Sequence, residues 1–292
     1  MTATTNVLVA LKNILDRNSC RLTPLFRSNG SANTAGDSLE YFIKDMFCTG
    51  GILHSIEEDK NKIYDKYLSW KGNSTNFPDF IVRGGVGVEP KKMNGKGNAS
   101  LSLNSSFPKA YIYPDTQNIP PQNLIDEETL WNKKNIVYAV GNLDKESDKL
   151  IRLWFAYGNT FIADERIYNG LKSKIKETIE NLTSSEFVPS KEFGRIKRVD
   201  PLGNTNLRLR GMWELAHPEA IFQQFLTLTD IPDGATKVNL IIPEDDFLQL
   251  DDKPDLSQYI NDGKLIVHKE LIPNPNNNLE NISVYLYETY TD

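Results

Sequence analysis

Hydrophobic positions recur along the first fifty residues with the 3.6-residue period of helices packed on one side. Val7, Leu8, Leu11, Ile14 and Leu15 mark a helix over residues ~5–17. In TAGDSLEYFIKDMFCTG the same period sets Leu39, Ile43, Met46 and Phe47 on the core face of a second helix, residues ~35–48. Asp37, Glu40 and Lys44 fall on its opposite face, which looks either at solvent or toward the carboxylates Asp79 and Glu89 further along the chain. From residue 76 the period shortens to two. NFPDFIVRGGVGVEPKKM, residues 76–93, reads as strand, tight turn at Gly84-Gly85, strand. SLSLNSSFPKAYIYP alternates until it meets prolines, and NIVYAVGNL and KLIRLWFAYG form two strands joined by a charged turn. ADERIYNGLKSKIKETIENL is a helix with Ile167, Leu171, Ile175, Ile179 and Leu182 apolar. NLRLRGMW reads as a strand with Arg208 and Arg210 on one face. HPEAIFQQFLTL opens a helix with Pro218 in its first turn, and KVNLIIP, KLIVHKEL and ISVYLYETY add strands. No repeat or linker interrupts the pattern. The predicted fold is one α/β (α+β) domain over residues 1–292, a central mixed β-sheet flanked by helices with appended elements.

Composition narrows the chemistry. With 39% hydrophobic and 25% charged residues the chain is globular, and no apolar run reaches the eighteen or so residues that span a bilayer. The opening segment is an amphipathic helix rather than a basic-then-apolar leader, so a cytoplasmic protein is expected. Cys20 and Cys48 are too few for a disulfide framework and read as buried thiols. His54, His217 and His268 stand singly, which argues against a zinc cluster or a Ser/His/Asp site and for structural histidines. The net charge of −6 is unevenly spread. Residues 241–292 hold eleven acids against three lysines, a balance of −8 that leaves +2 on residues 1–240. Within those, KEFGRIKRVDPLGNTNLRLR, residues 191–210, holds six basic residues against two acids. Such a segment either is a solvated face or binds phosphates, because local field matters more than total charge.

The strand-turn-strand at 76–93 carries the candidate chemistry. Alternation points Glu89 and Lys91 the same way, and the glycine turn brings Asp79 back beside them. Two carboxylates and an ammonium at one spot suit a hard divalent cation such as Mg²⁺, which takes oxygen ligands and activates water against phosphorus. The pattern alone is weak, since Pro232-Asp233 with Asp251-Asp252-Lys253 and Pro254-Asp255 with Asp262-Gly263-Lys264 repeat it. Only the Asp79 copy places its acid-x-lysine on a predicted strand. A solvated hairpin remains the other reading of these residues.

Four segments occur in a fixed order: NTAGDSLEYFIKDMF (33–47), NFPDFIVRGG with VEPKKM (76–93), LSLNSSFPKAYI (101–112) and RIKRVDPLGNTNLRLRGMWELAHPEAIF (195–222). Together they resemble the PD-(D/E)xK nucleases, and within these the NgoPII-type family of bacterial type II restriction endonucleases. The resemblance implies a restriction-endonuclease-like core and a homodimer that cuts double-stranded DNA at a short palindrome with Mg²⁺, GC-rich and GGCC-like. A cognate DNA methyltransferase would act on the same site without needing to bind the nuclease. Asp79 and Glu89 would hold the metal, Lys91 would orient or help deprotonate the attacking water, and Glu40 is the candidate further acid. Arg208 and Arg210 would pair with guanine edges, in a basic stretch with Arg195, Lys197 and Arg198. Asn104, Ser105, Ser106 and Lys109 would reach phosphate or base edges, unless they form a hydrogen-bonded turn. Pro90 departs from the aliphatic residue usual at that place, so the second strand is expected to bulge or lie at an edge, with Lys92 as the alternative to Lys91. A structure-specific or repair nuclease and a non-catalytic DNA-binding protein are the competing readings.

Overall fold

The two periodic segments at the N-terminus fold as helices, α1 over Val7–Arg17 and α2 over Ala35–Phe47. The structure, a computed structural model, describes residues 2–23, 25–26, 35–104, 107–128, 130–144, 146–182, 186–188, 190 and 193–292. Asn6 starts α1 by accepting the backbone N–H groups of Leu8 (2.9 Å) and Val9 (3.2 Å), two donors that a helix start leaves without carbonyls. The chain continues through α3 (Glu57–Tyr67), β1 (Leu68–Trp70), β2 (Phe80–Val82), β3 (Gly87–Asn94), β4 (Leu101–Asn104), β5 (Tyr111–Ile112), β6 (Lys134–Leu143) and β7 (Leu150–Tyr157). Then come α4 (Glu165–Leu182), β8 (Phe187–Val188), β9 (Gly194–Ile196), β10 (Leu207–Leu209), β11 (Met212–Leu215) and α5 (Pro218–Phe222). The last elements are β12 (Thr236–Pro243), α6 (Glu244–Leu248), α7 (Ser257–Asn261), β13 (Leu265–Asn274) and β14 (Asn277–Thr291).

Among the described residues the main sheet runs β1-β2-β3-β6-β7-β12-β14-β13, with β5 also paired to β6. β3 lies parallel to β6 and β7 parallel to β12, while the other pairings are antiparallel. This is the mixed sheet flanked by helices that the pattern predicts. Alternation along β6 sorts the core into two layers. Val137 and Ala139 join Leu11, Phe42, Ile43 and Phe47 from α1 and α2, whereas Ile136, Tyr138 and Val140 join Trp154, Leu103 and Phe222 on the other face. A sheet covered on both faces needs nearly continuous apolar strands, which is why NIVYAVGNL carries so few polar residues. Among the described residues no helix is long and apolar enough to cross a membrane.

One expectation changes. NLRLRGMW is not one strand: β10 ends at Leu209 and β11 begins at Met212. A β-carbon on Gly211 would lie 2.1 Å from the Phe193 ring, so any larger residue at this turn would have to push that ring aside. It leaves the small β8-β9-β10 sheet and pairs with β4 instead. Arg210 falls in the break and does not share a strand face with Arg208. Of the two readings left open for the polar face of α2, the one facing the hairpin carboxylates fits: Lys44 is only 4% exposed, and Glu40 and Lys44 both act on Asp79. Cys20 and Cys48 are buried free thiols, as expected. Buried His217 caps α5 by accepting the Glu219 N–H at 3.0 Å, and burial, aided by Arg152, lowers its imidazole to about 4. It is therefore a neutral structural histidine.

Candidate active site

Backbone geometry brings Asp79, Glu89 and Lys91 together. Gly84 takes φ +68 and Gly85 donates to the Val82 carbonyl at 2.9 Å, closing the β2–β3 turn. The hairpin then pairs Phe80 with Val88, which brings Asp79, one residue before β2, alongside Glu89. The Asp79 N–H donates to Glu89 Oε2 at 3.1 Å. On β3, Glu89 and Lys91 stand beside Tyr138 and Val140 of β6, on one face, and Lys91 Nζ donates to Glu89 Oε1 at 2.6 Å. Lys92 stands beside Gly141 on the opposite face and is exposed, which removes it as a substitute. Gly72 holds the far side of the site: with φ +93 it lets the chain pass so close that a β-carbon would lie 2.1 Å from the Asp79 carbonyl oxygen.

Pro90 produces no bulge. β3 pairs with β6 from Gly87 to Asn94 without a register shift. The Val86 carbonyl accepts from Val82 N–H, so alternation turns the main-chain groups of Val88 and Pro90 toward the β2 side. Among the described residues the β2–β3 pairing ends at Val88, so the missing N–H of Pro90 faces the unpaired side of the strand and costs no ladder bond. β3 lies inside the sheet between β2 and β6, so the strand neither bulges nor forms a sheet edge, and only its stretch past Val88 lacks a β2 partner among the described residues.

Further charges surround the pair. Glu40 on α2 acts electrostatically on Asp79 and binds Lys44 at 2.6 Å. Lys44 also donates to the Lys71 carbonyl at 2.7 Å and lies over the Tyr41 and Phe80 rings. Burial, then repulsion from Glu89 and Glu40, pushes the Asp79 carboxyl up to about 8 against the pull of Lys91 and Lys44. Burial would lower Lys91, but Glu89, with help from Asp79, outweighs it and raises the ammonium's pKa. The three groups open into a cleft of about 280 Å³ whose walls include Asn76, Phe77, Leu103, Phe107 and Tyr138. Among the described residues no three His, Cys, Asp or Glu side chains form a ready metal cluster. The donors present are two carboxylates on an all-oxygen site, which fits a hard cation completed by water. They do not fit zinc or copper, which favour histidine and cysteine.

The other predicted residues scatter. Lys109 is only 3% exposed, its Nζ 4.8 Å from the Phe77 ring centre and 5.0 Å from that of Phe107. Its backbone is fixed by Tyr138, whose hydroxyl accepts from Lys109 N–H at 3.0 Å and donates to its carbonyl at 3.2 Å. Burial lowers this lysine to about 8 although Glu89 and Glu165 favour its charge. It belongs behind the cleft wall rather than on a surface turn. Arg195 and Arg208 are direct cross-strand neighbours on β9 and β10, both exposed. Lys197 binds Glu186 at 3.0 Å, and Arg198 begins the connecting loop with φ 55. Asn104 ends β4, and Ser105 and Ser106 lie outside the described residues. The arginine hairpin is thus separate from the cleft but joined to it. β11 pairs Trp213 with Leu103, and the Phe107 ring meets Trp213 edge-on at 6.4 Å. Lys44 comes from the α2 face that the periodicity leaves open to these carboxylates, whereas Phe107 and Tyr138 reach the site by packing between distant elements, which no spacing along the chain encodes.

The model of the NgoPII restriction endonuclease family matches residues 5–273. The type II restriction enzyme NgoPII of Neisseria gonorrhoeae is 34% identical over 272 residues, 93% of this chain and 95% of that enzyme. No solved structure matches. Because the match runs through both hairpins and most of the main sheet, the chain belongs to the NgoPII restriction endonuclease family and is a type II, site-specific endonuclease.

Proposed function

We propose that this endonuclease cleaves DNA at the Asp79–Glu89–Lys91 cleft, with Mg²⁺ as its cofactor. The observation that carries the reading is the convergence of two carboxylates and one lysine on a single cleft. Asp79 and Glu89 would hold the cation, which supplies Lewis-acid stabilisation of the phosphate and a more acidic water. Before a cation binds, the crowded carboxylates keep a proton at Asp79, so metal binding has to displace it. Lys91, tied to Glu89, directs its ammonium along the cleft to orient the attacking water and to offset charge on the phosphate oxygens. Glu40 adds negative charge at the rim, and Lys44 restrains it. Arg195 and Arg208, side by side on the second hairpin, supply phosphate and guanine contacts, with Arg198 and Arg210 flanking them.

A palindromic, GC-rich, GGCC-like site read by a homodimer completes the proposal, with a cognate methyltransferase protecting the same sequence. Digesting a mapped plasmid with Mg²⁺ and sequencing the ends tests it. Discrete fragments from one short palindrome are expected from the native protein. Asp79→Ala should yield none while still retarding DNA in a gel. Wild-type cutting by that variant refutes the site assignment.

A further inference from the structure

The loop between β9 and β10 ends in a leucine that the fold does not use. Asp200 to Gly203 form a turn closed by the Gly203 N–H on the Asp200 carbonyl at 2.9 Å, with Pro201 and Leu202 at its centre. The Asp200 carboxylate also accepts the backbone N–H groups of Leu202 (3.0 Å), Asn204 (3.3 Å) and Thr205 (2.5 Å). The apex is therefore held in one shape, with Leu202 84% exposed and Val199, on the same loop, 51% exposed.

Exposure alone decides nothing, because single surface leucines are ordinary. Leu279, in the first residues of β14 beside the β13–β14 turn, is 91% exposed. The two tips differ in their charge. Leu279 is followed by Glu280 and sits among asparagines. Below Leu202 stand Arg198, whose side chain packs against Gly203, and the opposed pair Arg195 and Arg208. Two arginines placed directly opposite each other on a two-stranded ribbon concentrate positive potential, which attracts a polyanion. An apolar tip on a stiff, cationic hairpin matches the way proteins wedge open a base step while gripping the adjacent phosphates.

We propose that Leu202 is such a wedge, inserted between base pairs of the substrate duplex while the hairpin arginines hold the flanking phosphates. The inference rests on the reading of this hairpin as the DNA interface, and the test separates the two. Full-length protein in metal-free buffer is titrated with duplexes that carry the mapped cleavage site and 2-aminopurine at successive positions. The native protein should raise the fluorescence at one step. Leu202→Ala should lose that rise and bind roughly tenfold more weakly, the loss expected when a buried leucine side chain is truncated. Its salt dependence should stay unchanged, because no phosphate contact is removed. Leu279→Ala should match the native protein in every reading, and the melting temperature of Leu202→Ala should be native. No rise at any position, or a full rise with Leu202→Ala, overturns the wedge. Arg195→Ala should lower the slope of log affinity against log salt by about one. If Arg195→Ala and Arg208→Ala both leave that slope unchanged, the interface reading fails and the wedge falls with it.

Discussion

Two clusters of buried acid and lysine lie on or beside α2, and they are built to opposite ends. In the core, Asp45 receives Lys60 at 2.5 Å and the Tyr64 hydroxyl at 2.7 Å, while Lys60 also donates to the Gly51 carbonyl at 2.9 Å. Asp45, Lys60 and Tyr64 are each 2% exposed or less, and a β-carbon on Gly51 would press on the Asp45 carboxylate at 2.6 Å. One acid meets one base there, with no room left. In the cleft, Asp79 and Glu89 share Lys91, Glu40 adds repulsion, and the group opens to solvent. Burial raises the carboxyl of both Asp45 and Asp79, so a raised carboxyl does not by itself mark a catalytic group. What separates the clusters is charge balance and space: the core holds a matched pair in a closed site, whereas the cleft holds surplus negative charge open to solvent, the arrangement on which the proposed cation site rests.

The largest effect should come from breaking the unbalanced cluster. Asp79→Ala is expected to lower single-turnover cleavage by more than about 10³-fold with a native circular dichroism spectrum, and Lys91→Ala by roughly 10²–10³-fold. Breaking the balanced one should instead unfold the protein. Lys60→Ala, which strands the Asp45 carboxylate, should cost about 3–5 kcal/mol in denaturant titrations while the remaining folded fraction cuts at the native rate. A pH series sharpens the contrast further. With the folded Asp79 carboxyl raised from 3.8 to about 8, the folded state holds a proton that the unfolded state has lost. Its contribution to stability therefore falls as pH rises from about 4 to 8 without metal. Asp79→Asn should flatten that slope in thermal melts, and Mg²⁺ should oppose it. By the same linkage cleavage should climb with pH up to about 8 and then level off. The smallest effect is expected from Glu40→Gln, a few-fold change in cleavage with DNA affinity unchanged, because Lys44 already restrains that carboxylate.

Much of the frame was legible in the chain because period and burial agree. Leu39, Ile43, Met46 and Phe47 all pack in the core, and the apolar runs of β6, β7 and β12 are the sheet's centre. Asp79, Glu89 and Lys91 were legible for a related reason: a hairpin is local, so alternation and a glycine turn determine which side chains meet. Lys109 was not. Its neighbours Phe77, Phe107 and Tyr138 come from three separate segments, and no spacing along the chain encodes that meeting. The break at Gly211 was missed because LRLRGMW alternates correctly on both sides of it, while the obstacle is a ring at Phe193 in another strand's approach. α4 shows the limit of periodicity from the other direction: the helix forms, yet Ile167 and Leu171 remain about half exposed at 54% and 49%.

Pro90 also bears on how far its strand can pair. Past Val88 the strand that carries Glu89 and Lys91 has no β2 partner among the described residues, and Pro90, buried there, has no amide hydrogen to offer one. The ring in place of the amide hydrogen thus leaves that stretch unpaired on one side, beside the cleft into which Asp79, Glu89 and Lys91 open.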